Sequence, residues 1–200
     1  NIGAEAYAEM GLSLVGIDCD LGEASVQIAS DSYGIGELAT RRLIDDGCSR
    51  ILCLRNNSRM RMPANKRTDA YHDVVEQAGL PALVREVEFV KSDDEKSAVV
   101  AKILDENPDI DGIFAGDDTM AAICLNVMKQ RGLSAPDDIK VVGADGARRT
   151  MTFMPDLTTV RQDIDRIGEL AAQSIIALVN GEKPESNTKL PVELIEGKTA

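Results

Sequence analysis

The stretch IKVVGADGARRTMTFMPDLTTVRQD, Ile139 to Asp163, decides the fold. Its short apolar run Val141-Val142-Gly143-Ala144 reads as a buried strand, and Asp145 follows at once. After it come a basic-apolar loop, a threonine pair and a new helix start at Asp163. An ionisable residue at the carboxyl end of a buried parallel strand is where open α/β sheets bind ligands. Working outward, the chain repeats this device.

Towards the amino terminus, Leu12–Ile17 reads as a strand closed by Asp18, and Val26–Ala29 as a second. Gly34–Asp46 has the apolar spacing of a helix, with Leu38, Leu43 and Ile44 inward and Gly47 at its end. Strands are expected at Ile51–Leu54, Leu83–Val90 and Gly112–Ala115. Helices are expected at Lys66–Ala78, Asp94–Glu106 and Asp118–Arg131. A polar loop, Arg55 to Asn65, carries arginines. Beyond the deciding stretch, Asp163–Asn180 is amphipathic and Leu190–Ile195 is a last strand. This alternation predicts α/β architecture with parallel sheets covered on both faces.

The 34 acidic residues outnumber the 22 basic ones, giving a formal charge of −12. Nucleic-acid binding needs a basic face, and Arg41-Arg42 and Arg148-Arg149 are too short to supply one. The cysteines, Cys19, Cys48, Cys53 and Cys124, form no CxxC, and His72 is the only histidine. A metal site and a disulfide framework are therefore not expected. No run approaches the length that spans a bilayer. The start, NIGAEAYAEMG, reads as mid-helix, so the true amino terminus is expected upstream.

Asp18, Asp117 and Asp145 each follow a short apolar run. Strand ends on one edge would aim them into one cleft, where carboxylates accept hydrogen bonds from hydroxyl or amino groups. Each instance has a plainer reading: Asp117 or Asp118 as a helix cap, Asp18-Cys19-Asp20 and Asp145-Gly146 as turns. Gly34-Ile35-Gly36 lacks the third glycine of a dinucleotide site. No serine has a histidine partner, so catalysis and a cofactor are not expected.

The order of several blocks resembles the effector-binding part of the lactose-repressor/galactose-repressor (LacI/GalR) family. The blocks include Ala135 to Gly146, Pro155 to Asp163 with Ile167-Gly168, Asp31 to Gly34, Leu43 to Ile51, Lys66-Arg67 with Ala70-Tyr71, and Gly112 to Ala121. The resemblance implies two Rossmann-like parallel-sheet lobes of periplasmic-binding-protein type, the amino lobe incomplete. Residues 1–30 would be a partial amino lobe, 31–158 the carboxyl lobe, 159–190 the return to the amino lobe, and 191–200 the carboxyl lobe's end strand. It implies ligand contacts at Asp18, Arg61, Arg67, Phe89, Asp117, Asp145, Gln162 and Ile164. Cys48, Ala144 and Gly146 depart from the family's usual residues.

The apolar loop Thr150–Met154 fits either a core plug or a subunit contact. The family's dimer favours the contact, at Met151 and Phe153. The expectation is a cytoplasmic sensor that is not an enzyme. It would bind a small effector, a sugar first, and form a homodimer. It would not meet the membrane, and it would reach operator DNA through a headpiece absent from this chain. The alternatives are a secreted solute-binding protein of the same fold and an α/β enzyme with Asp145 as general base.

Overall fold

The apolar runs pair into two sheets in a computed structural model that describes residues 4–19, 21–23, 25–57, 65–88 and 90–200. In chain order the elements are α1 (Ala4–Glu9), β1 (Val15–Ile17), β2 (Val26–Ser30), α2 (Ser32–Asp45), β3 (Ile51–Asn57), α3 (Asn65–Gln77), β4 (Leu83–Glu88) and α4 (Asp93–Glu106). They continue with β5 (Gly112–Ala115), α5 (Asp118–Gln130), β6 (Lys140–Asp145), α6 (Arg148–Phe153), β7 (Thr158–Gln162), α7 (Ile164–Val179), β8 (Asn187–Leu190) and β9 (Val192–Ile195).

The larger sheet has the order β4-β3-β5-β6-β7-β9 and the smaller β1-β2-β8. Successive strand side chains point to opposite faces. On β3, Leu52 and Leu54 therefore join the core under α4 and α5, whereas Ile51 and Cys53 join the one under α2 and α3. All four residues of β5 are buried, which places it at the centre. In the smaller sheet Val26 and Ile28 pack against Ile167 of α7.

Acceptor side chains start α2, α4, α5 and α7. Asp31 accepts from the Gly34 N–H, Asp117 from Met120 and Asp163 from Arg166. Ser92 and Glu95 form a capping box on α4. Each satisfies a donor that the first helical turn leaves unpaired.

The chain changes sheet at three points, Asp31, Asp163 and Pro191. Two of them touch, because the Asp31 N–H donates to the Leu190 carbonyl at 2.9 Å. The sequence boundary at 159 falls inside β7. Thr158–Arg161 pair with β6, and Thr159–Gln162 with β9, so the passage comes at Asp163.

Three other expectations are corrected. β9 runs antiparallel to β7, so the larger sheet is mixed. The strand expected at Leu190–Ile195 is two strands in different sheets, broken at Pro191, which has no N–H for a ladder. The loop at Thr150–Met154 is mostly the short helix α6, none of whose residues is buried.

Candidate functional site

The site is built at the carboxyl end of β6. Asp145 has a φ of 111° and Gly146 of 58°, both in the region L side chains rarely adopt. The chain thereby turns sharply, and the Asp145 carboxylate meets two donors. Its Oδ1 accepts from Arg67 Nη2 at 3.0 Å and from Gln162 Nε2 at 2.6 Å.

Arg67 comes from α3, and a glycine sets its reach. A Cβ at Gly36 of α2 would lie 2.1 Å from the Arg67 carbonyl oxygen, so only glycine lets the two helices approach this closely. That contact absorbs the Gly34-Ile35-Gly36 pattern structurally. The Arg67 guanidinium also donates from Nη1 to the Gly116 carbonyl beyond β5. Its buried Nε has no hydrogen-bond partner among the described residues.

Burial raises the Asp145 pKa, outweighing the neighbouring Arg67 guanidinium, which pulls it down; Asp117 also raises it. Asp117 caps α5 through its Oδ1, at 2.7 Å from the Met120 nitrogen. The expected capping and its place beside Asp145 therefore coexist.

Beneath this cluster lies Asp118, expected from the sequence only as an alternative cap. It is 3% exposed. Its Oδ2 accepts from the Gly146 N–H at 2.8 Å and its Oδ1 from the Thr159 hydroxyl at 2.6 Å. Burial pushes its pKa up to about 6. One signal could have found it: Gly143 inside an apolar strand marks a close approach, and a Cβ there would sit 2.5 Å from Asp118 Oδ1.

Asp18 stands beyond β1 in the smaller sheet with a φ of 46°, and its Oδ1 accepts from the Ser30 N–H at 3.0 Å. Ile164 opens α7 and is half exposed. A cavity of about 860 Å³ opens where the chain passes between sheets, lined by Gly146, Arg148, Met151, Gln162, Ile164 and Pro191 among others. Asp145 and Arg67 flank it without lining it. Met151 lines this cavity, and Phe153 is 77% exposed, so Phe153 is not a core plug. Arg61 and Phe89 lie outside the described residues. Among the described residues no cluster of three or more His, Cys, Asp or Glu could hold a metal ion. No helix there is long and apolar enough to cross a membrane.

Two lobes of largely parallel sheet, joined by three passages with acceptors at their strand ends, define an α/β protein of the architecture whose strand ends commonly hold ligands. Residues 40–200 match the periplasmic binding protein-like domain family, and the chain belongs to it. It is 31% identical over 202 residues to the sucrose operon repressor of Pediococcus pentosaceus, covering all of this chain and 62% of that protein. It is 30% identical over 196 residues to the ribose operon repressor of Halalkalibacterium halodurans, covering 96% of this chain and 58% of that protein. The solved complex of the transcriptional regulator CelR with cellobiose superposes with a TM-score of 0.87 at 28% identity, covering 98% of this chain and 61% of that one. The chain thus spans about 60% of the length of these curated relatives.

Proposed function

We propose that the chain senses a small sugar-like effector between its two lobes for a regulator that binds operator DNA. The observation that carries this is the cluster of Arg67, Asp145 and Gln162 at the end of β6, next to the passages between lobes. A carboxylate set among directional donors suits a polyhydroxylated ligand, whose hydroxyls donate to the carboxylate and accept from Arg67 and Gln162. Asp18 would add a second carboxylate from the smaller lobe, with Asp117 and Ile164 as further contacts.

The two relatives are repressors of sugar operons and the CelR complex holds cellobiose. They favour regulation over secretion or catalysis, and a cytoplasmic setting. An effector that binds the closed arrangement of the lobes more tightly shifts the population toward it. In this reading the DNA-contacting headpiece belongs to the whole protein, and a homodimer forms through α6 around Met151 and Phe153. Titration calorimetry with ribose, sucrose and cellobiose tests the proposal. Saturable binding of one of them is expected, and no heat with any of the three contradicts the sugar assignment.

A further inference from the structure

The Asp145 turn needs support, because two consecutive residues hold positive φ at a point where a carboxylate must be aimed. Asp118 supplies that support from below. Its two oxygens are bonded separately, one to the Gly146 N–H that follows the turn and one to the Thr159 hydroxyl on β7. The second bond matters because β7 also carries Gln162, the other donor to Asp145. β7 then leads straight into the passage at Asp163. Gly143 is the glycine that leaves room for this carboxylate.

We propose that Asp118 is a positioning residue for the cleft: its buried carboxylate clamps the Asp145–Gly146 turn to β7 and so sets the aim of Asp145 towards Arg67 and Gln162. This rests on the proposed ligand site for its functional consequence, but the clamp itself can be read without a ligand. Asp118 touches no ligand in this scheme and acts through Asp145.

Asp118→Ala removes both bonds. Asp118→Asn retains them, since its amide oxygen can accept from the Gly146 N–H while its amide nitrogen donates to the Thr159 oxygen. Thr159→Val removes the β7 bond alone and keeps the side-chain shape.

The experiment measures amide hydrogen exchange at Gly146 in the full chain, together with the calorimetric affinity for whichever of ribose, sucrose and cellobiose binds. In Asp118→Ala, Gly146 exchange should quicken and sugar affinity should fall, each by about tenfold, the order of one hydrogen bond to a charged group. Exchange in β3 and β5 should be unchanged. Asp118→Asn should restore both readouts, and Thr159→Val should weaken sugar binding while leaving the Gly146 bond. Should Asp118→Ala not fold, Asp118→Asn and Thr159→Val still decide. Wild-type affinity in Thr159→Val, or unchanged Gly146 exchange in a folded Asp118→Ala, overturns the proposal. If no sugar binds the wild type, the exchange result still judges the clamp, and only the functional reading fails.

Discussion

Arg67 and Asp145 lie 78 residues apart in sequence, yet Nη2 of one donates to Oδ1 of the other at 3.0 Å. The guanidinium is 11% exposed and the carboxylate 33%. Breaking a buried pair strands the remaining charge, at a cost of about 3–5 kcal/mol when both partners are fully buried. Because Asp145 is a third exposed, Arg67→Ala should destabilise the fold by about 2 kcal/mol, after allowing for solvent screening. Arg67→Lys should not restore sugar binding, since a point charge cannot serve Gly116 and Asp145 together as a planar fork does. Urea denaturation and calorimetry check both outcomes.

Asp118 gives a pH dependence with a definite sign. Its folded pKa of about 6 lies above the ordinary carboxylate value of 3.8, so the folded state takes up the proton first. Its stabilising contribution is full below the unfolded value and is lost as pH rises through about 6. Lowering the pH from 7 to 5 should therefore raise the melting temperature more in the wild type than in Asp118→Asn. Equal shifts in the two proteins would show that this carboxyl is not the group responsible.

Gly36→Ala should be more damaging than a methyl usually is, because the new Cβ would fall 2.1 Å from the Arg67 carbonyl oxygen. The backbone of α2 or α3 must shift, at about 3 kcal/mol or more. Sugar affinity should fall too, as Arg67 moves with α3. Gly168→Ala, which meets nothing within 4 Å inside α7, serves as the control and should stabilise slightly, by about 0.5–1 kcal/mol.

Tyr71 ties α3 to the sheet beneath it. Its hydroxyl donates to the Ile51 carbonyl at 2.7 Å and accepts from the Leu83 N–H at 2.7 Å. Tyr71→Phe should cost about 1–3 kcal/mol, because the Leu83 N–H is left buried and unpaired. Chemical denaturation measures it.

Phe153 is large, apolar and 77% exposed. Phe153→Glu should lower the sedimentation mass from dimer to monomer without lowering the melting temperature of the folded chain. An unchanged mass would move the interface away from α6.

Much of this architecture was legible in the sequence. The runs at Ile51, Gly112 and Val141 are apolar because they are covered on both faces, and Asp117 and Asp163 mark helix starts, whereas the cap at Asp31 lies three residues ahead of the helix expected from Gly34. β7 was not legible as a strand. Its threonines look like surface residues, but Thr158 and Thr159 are buried with their hydroxyls bonded to Ala200 and Asp118. α6 is too short to show a helical period. β8, Asn187–Leu190, has no apolar alternation because it is a largely exposed edge. At the site, Asp145 was visible as a strand-end carboxylate. Its partner Arg67 came only from the family resemblance, since no local pattern joins residues 78 positions apart. Asp118 was read as a cap because adjacent acids at a helix start usually are caps. Only the fold separates the one that caps from the one that is buried.

In the proposed function Asp145 holds the effector between the lobes. Titration calorimetry of the wild type and Asp145→Ala against the sugar that binds is its most direct test. Saturable binding is expected in the wild type and none in the variant, with the variant still folded by circular dichroism. Wild-type affinity in Asp145→Ala would contradict it.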